Sequence, residues 1–230
     1  MAITVVQSAM NAGSSGSTFP EDEHVTLSTP ASGNLLIGFI SARNGSILLS
    51  SRGALTFLGG NTTGGTSGVV NYQLSAGTET TFIVGAKNST TGGDYSCVGM
   101  ELSGQAASAY INASSFNSPA ASNPYATPSI TPTVNNCLIV AWWGLSTTTA
   151  VPTATYNNGF AQLRLASVLD LGYCAVATLQ QGTAAAVACS LTRTDAGNQI
   201  TGQAGIIAIA PAPASQIPYQ DYQRMAILAQ

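Results

Sequence analysis

Charge is what this chain lacks most. Lys plus Arg number six and Asp plus Glu nine, together 7% of 230 residues, where an average protein carries about 25%. There is one lysine, Lys87, and the arginines (Arg43, Arg52, Arg164, Arg193, Arg224) are scattered. Nucleic-acid binding needs clustered cations to neutralise phosphates, so no nucleic-acid partner is expected. The same scarcity disfavours electrostatic attachment to anionic lipid. His24 is the sole imidazole. A serine hydrolase would have to use it as base, and no Gly-x-Ser-x-Gly elbow accompanies it. No glycine-rich cradle precedes Lys87, so a phosphate loop is not expected.

Long apolar runs are missing as well. A membrane-spanning helix needs about 20 apolar residues, and the run Cys137 to Leu145 is far shorter. No membrane insertion is expected. Met1 to Val6 has neither a basic start nor a sustained apolar stretch, so a cleaved signal peptide is not expected. Asn44-Gly45-Ser46 and Asn88-Ser89-Thr90 then read as polar turns. Cys97, Cys137, Cys174 and Cys189 lack the close pairing of zinc ligands. Each sits in or beside an apolar strand-like run, where cysteine is usually a buried thiol. A bridge between neighbouring strands stays open. Neither metal nor cofactor is expected.

What remains is 45% hydrophobic with a formal charge of −3. Disordered chains combine low hydrophobicity with high net charge, so this one should fold. Its polar surface must be built from Ser, Thr, Asn, Gln and Gly. Such a surface is neutral and hydrogen-bonding, and it suits sugars or other protein surfaces.

Strand signals dominate. Runs rich in Thr, Val and Ile lie between Gly, Asn, Ser and Pro clusters. They predict strands near 3–7, 25–27, 34–42, 55–58, 68–74, 80–86 and 95–102. A second set is expected near 110–113, 137–145, 161–166, 172–179, 185–192 and 205–209. Leu35 to Ile40 and Cys137 to Trp143 are continuously apolar, which implies burial on both faces or a central strand with one face under another layer. Turn signals such as Gly59-Gly60-Asn61 and Asn157-Asn158-Gly159 supply residues that tolerate positive φ. Helical periodicity is weak.

The strand-forming unit occurs twice. Asn34-Leu35-Leu36-Ile37 returns as Asn136-Cys137-Leu138-Ile139, an offset of 102 (136 − 34). Leu74 to Thr78 returns as Leu179 to Thr183, and the run Val98 to Leu102 returns as Ile206 to Ala210. Order is kept while the offset drifts, as loop insertions would cause. The expected fold is an all-β, two-sheet antiparallel β-sandwich of jelly-roll or concanavalin-like type, built from two pseudo-repeats. The sandwich should cover residues 1–210, with repeats at about 25–104 and 130–210. Ser114 to Pro132 should be the crossover between them. Residues 211–230 should form a C-terminal assembly arm. Pro211, Pro213 and Pro218 cannot extend a central strand, and Tyr219, Tyr222, Met225, Ile227 and Leu228 supply apolar surface.

Little in the chain points to chemistry. Glu21-Asp22-Glu23-His24 is the one charge cluster. Consecutive strand residues point to opposite faces, so a solvated turn is expected there rather than a metal site. Glu79, Asp94, Glu101, Asp170 and Asp195 could supply a glycosidase pair, but none forms a local motif. Trp142 and Trp143 are the candidate ligand or interface aromatics, since aromatic faces stack on sugars and anchor protein contacts. Two core residues of a central strand is the simpler reading. Tyr110, Phe116, Tyr125, Tyr156 and Phe160 fall in loop-like contexts and are further candidates. No catalytic residue is assigned.

The order of features carries a resemblance. Ile3-Thr4-Val5-Val6-Gln7 opens the unit. Ser32-Gly33-Asn34-Leu35-Leu36-Ile37-Gly38-Phe39 follows, then Tyr72-Gln73-Leu74 with Ala76-Gly77-Thr78-Glu79. Thr127-Pro128-Ser129-Ile130-Thr131-Pro132 leads into Asn136 to Ala141, and Ile206 to Pro211 closes it. Over residues 3–211 this resembles a family of bacteriophage virion-associated β-sandwich proteins, lectin-like and often tail-associated. The resemblance implies a non-enzymatic virion structural protein, made in the host cytoplasm and exposed on the particle as a tail, tail-fibre or head-decoration component. Its partners would be other virion proteins and copies of itself. The alternative is a carbohydrate-binding host-recognition module that contacts a host surface glycan. Exposed, coplanar aromatics at one end of the sandwich would mark it.

Overall fold

A computed structural model describes residues 2–14, 21–43, 46–48, 55–61, 66–88, 94–119, 123–147, 153–168, 172–193 and 199–213. The chain is all-β, and its sheets are antiparallel. Eight strands come from the first half: β1 (Thr4–Ser14), β2 (Glu21–Thr26), β3 (Leu35–Arg43), β4 (Ser46–Leu48), β5 (Thr56–Asn61), β6 (Thr66–Leu74), β7 (Thr81–Asn88) and β8 (Asp94–Ser103). Eight more follow: β9 (Ile111–Asn117), β10 (Tyr125–Ala126), β11 (Cys137–Thr147), β12 (Ala154–Tyr156), β13 (Ala161–Val168), β14 (Gly172–Gln181), β15 (Ser190–Arg193) and β16 (Gln199–Ile209).

Each half builds its own pair of sheets. The first has orders β1-β8-β3-β6-β5 and β2-β7-β4; the second has β9-β16-β11-β14-β13 and β10-β15-β12. Adding eight to each strand number of the first half generates the second. The antiparallel β-sandwich expected from the sequence is present, and it is duplicated whole: the described residues form four sheets, two in each half. The stretch expected to be a crossover, 114–132, contributes most of β9 and all of β10.

The five-stranded sheets pack on each other in the middle, and each three-stranded sheet covers the outer face of its own partner. Three buried clusters record this layering. Leu35, Ile37, Phe39, Val98 and Met100 meet Leu138, Val140, Trp142, Val176 and Ile207 between the large sheets. Leu36, Ile40 and Val69 pack under Val25, Phe82 and Val84. Ile139, Ala141 and Trp143 pack under Tyr125, Val187 and Leu191. The continuous apolar runs are now explained: β3 and β11 are the central strands of the large sheets, and successive side chains enter different cores. β4, β10 and β12 escaped sequence detection because two or three residues carry no measurable alternation.

The structure shifts the repeat alignment by one residue. Gly33 (φ 84°) and Asn136 (φ 60°) both hold the left-handed conformation just before the central strand. Matching them gives an offset of 103 (136 − 33) and pairs Leu35 with Leu138, both in the shared core. Matching the asparagines instead pairs Leu35 with Cys137, which faces the outer core. A slip of one residue exchanges the faces of a strand, and a strand apolar on both faces hides that slip in its sequence.

The edges repeat too. Each of the four outermost strands of the large sheets carries one unpaired residue: Val6 in β1, Leu58 in β5, Asn112 in β9 and Leu163 in β13. β1 corresponds to β9 and β5 to β13, so the bulges recur at equivalent places. Bulges twist an edge away from further pairing.

Candidate functional site

Both tryptophans lie inside. Trp142 and Trp143 are each 0% exposed, because β11 has a core on either face. Trp142 sits between the large sheets beside Phe39, with ring centroids 6.3 Å apart. Trp143 donates its indole N–H to Tyr125 O at 3.0 Å and packs against Tyr156. Neither presents a face to a ligand at the surface. The other candidate aromatics are dispersed rather than gathered at one end. Tyr125 and Phe160 are buried, Tyr110 stacks edge-on against Tyr72, and Phe116 is wedged against Gly59 and Gly205. Tyr219, Tyr222, Met225, Ile227 and Leu228, the expected assembly arm, lie outside the described residues.

The charge cluster Glu21 to His24 is a strand, β2, not a turn. Glu23 is buried while His24 is exposed, as alternation requires. Asp170 and Asp195 lie outside the described residues, and Asp94 opens β8 in a buried position.

Two carboxylates are built into turns and loops. Glu101, on β8, is buried. Its oxygens accept from Gln7 Nε2 (2.6 Å), Asn34 Nδ2 (2.5 Å) and Ala31 N (3.0 Å). Burial alone would raise its pKa, but these donors outweigh it and hold the carboxyl below its usual range. Glu79 accepts from Ala76 N, Gly77 N and Thr78 N and from the Ser75 hydroxyl. Burial again opposes, yet the donors hold Glu79 down at about 2. A general acid needs the reverse environment, one that keeps its proton near neutral pH. Glu79 and Glu101 stay ionised and tie loops together.

The four thiols are buried and unbridged. Burial pushes Cys174 and Cys189 each up to about 12. Burial, with the Cys174 and Glu23 charges adding, raises Cys97 well above its ordinary value. Such thiols are poor nucleophiles.

The surface does hold a cleft of about 780 Å³ at one end of the second half, where Ala2, Ala106, Ser108 and Ala109, all preceding β9, also line it. Sequence reading missed it, because loops distant in sequence form it. Val134, Asn135 and Asn136 come from the turn before β11. Asn112 is the bulge residue of β9, Gln180 lies on β14, and Ala210 to Pro213 follow β16. Among the described residues, none that lines it is ionisable or aromatic. Its amides are clamped by their other atoms. Gln180 Nε2 donates to Asn136 O (3.0 Å) and Cys137 O (3.4 Å), leaving its oxygen. Asn135 Oδ1 accepts from Ala184 N at 2.8 Å, leaving its NH2. Asn112 and Thr133 exchange two hydrogen bonds. The cleft thus offers fixed, neutral donors and acceptors beside Val134, which is 40% exposed. The chain matches no known family, no curated protein and no solved structure.

Proposed function

We propose that this chain is a non-enzymatic structural module on the surface of a bacteriophage particle, in the tail, a tail fibre or a head decoration. It assembles there with copies of itself and with other virion proteins. One observation carries the non-enzymatic part: among the described residues, none that lines the cleft is ionisable. The strand-edge resemblance of residues 3–211 supports the virion setting, and the neutral hydrogen-bonding composition supports an exposed, assembled surface. A glycan-binding role would need an exposed aromatic platform. Both tryptophans are enclosed and the cleft has no aromatic lining, so the assembly reading is preferred.

Immunogold labelling of particles assembled from the encoding genome tests the setting. Surface label on intact particles is expected; chain found only outside purified particles would sink it. Turnover of bacterial surface polysaccharide, abolished by Glu101→Gln or Asp94→Asn, would refute the non-enzymatic assignment.

A further inference from the structure

We propose that the cleft at the end of the second half is the seat of the C-terminal segment, residues 214–230, of a neighbouring copy. The inference deepens the assembly reading and rests on it. Three observations lead there.

First, the usual route for sandwich assembly is closed. All four edges of the large sheets are bulged at Val6, Leu58, Asn112 and Leu163, which opposes edge-to-edge pairing. A contact between copies through those four edges is therefore disfavoured.

Second, the cleft has the chemistry of a peptide receptor. The Gln180 oxygen and the Asn135 NH2 are held in place by their partners in the same amides. One fixed acceptor and one fixed donor match the N–H and C=O of an extended backbone. Val134 and Pro211 supply apolar contact for its side chains. A sugar would be served poorly, for want of a stacking face.

Third, the segment fits in composition and position. Residues 214–230 carry only two charged groups, Asp221 and Arg224, amid Ile217, Tyr219, Tyr222, Met225, Ile227 and Leu228. The chain reaches this segment through Pro211 to Pro213, at the rim of the cleft. There Ala212 N donates to Gly104 O at 2.7 Å and Pro211 bridges Gln105. A Pro-x-Pro exit holds extended backbone as far as Pro213. A segment from a second copy can reach the cleft without having to turn back directly on Pro211 to Pro213, which line it.

Cross-linking in mixtures tests this. Full-length Val134→Cys and Tyr222→Cys copies are mixed and treated with a bismaleimide; the native thiols are buried. A covalent dimer containing one of each is expected, and excess synthetic peptide of residues 214–230 should suppress it. A cross-link confined to single chains that carry both substitutions would overturn the exchange between copies. No cross-link in either case would overturn the seat itself. As a second measurement, full-length Val134→Asp should elute as monomer in light scattering with an unchanged β-type circular dichroism spectrum. An unchanged oligomer would count against the seat. Particle labelling without cross-links would reject the seat and leave the surface assignment standing; cross-links without particle labelling would do the opposite.

Discussion

Gly59→Ala should loosen the seam between the two halves, and Phe116 should be the reason. Phe116, on β9, lies opposite Gly205 of its own sheet and against Gly59 of the facing sheet. A Cβ at Gly59 would stand 2.1 Å from Phe116 Cε2, and one at Gly205 would stand 2.4 Å from Cδ1. Carbon atoms prefer separations of about 3.5–4.0 Å, so the overlap is roughly 1.4–1.9 Å. The ring cannot simply slide toward Gly205, whose backbone closes the other side. Overpacking of this kind costs about 1–3 kcal/mol. Phe116→Ala alone should cost about 2 kcal/mol, below the roughly 3–5 kcal/mol of a fully buried Phe, because Phe116 is half-buried. Once the ring is gone, the alanine at 59 has room. The double variant should therefore be less destabilised than the sum of the singles by about 1–2 kcal/mol. Urea unfolding reads this: with an m of about 2–3 kcal/mol/M, a 2 kcal/mol loss moves the midpoint by roughly 0.7–1 M. Gly182→Ala is the control, since nothing lies within 4 Å of its Cβ position, and it should leave the midpoint in place. Strict additivity of the Gly59 and Phe116 variants would refute the wedge.

Acid should weaken the fold through Glu79 and Glu101. Both folded-state values are depressed, so their stabilisation is present above the ordinary carboxylate range of about 4.3 and is lost as pH falls from there toward about 2, the folded value of Glu79. Glu101→Gln turns one acceptor into a donor facing Gln7 Nε2, and should cost about 1–3 kcal/mol at pH 7. Its deficit should shrink by pH 2.5, and a pH-independent deficit in denaturation series would contradict the assigned charge state. Denatured without reductant, the protein should titrate four thiols with a disulfide reagent, because all four cysteines are buried and unbridged. Two or fewer would show that oxidation bridges them.

The sequence made the class of fold and the central strands legible because β3 and β11 are apolar at every position that counts. The same property hid their faces. Leu35 and Cys137 match in a chain alignment yet look into different cores, and only the left-handed residues Gly33 and Asn136 fix the register. Half of the outer-sheet strands were invisible because β4, β10 and β12 are too short to show a period. Tyr125 and Phe160 sit next to Pro or Gly in sequence and read as loop aromatics, but a second layer covers them. The cleft could not be anticipated at all. Asn112, Val134, Gln180 and Pro211 have no pattern in common and meet only because the ends of β9, β11, β14 and β16 do.

Duplication also shows where the two halves have been free to diverge. Pairing Leu35 with Leu138 makes Glu101 the counterpart of Ala208. In the first half, Glu101 ties down the loop before β3 by accepting from Ala31 N and Asn34. In the second half an alanine stands there, the matching loop is held by Asn112 and Thr133 instead, and Val134, the counterpart of Ala31, stays exposed at the cleft. The seams differ likewise. Phe116 fills one by packing on Gly59. Its counterparts at the other seam are Met10 and Arg164. Met10 is 55% exposed there, and Arg164 reaches across to Ser8 O at 3.0 Å. Shared interior positions keep their apolar character because each serves a core, whereas the ends and seams face only solvent or a partner. Asymmetry at those positions, the cleft among them, is therefore what distinguishes the second half from the first.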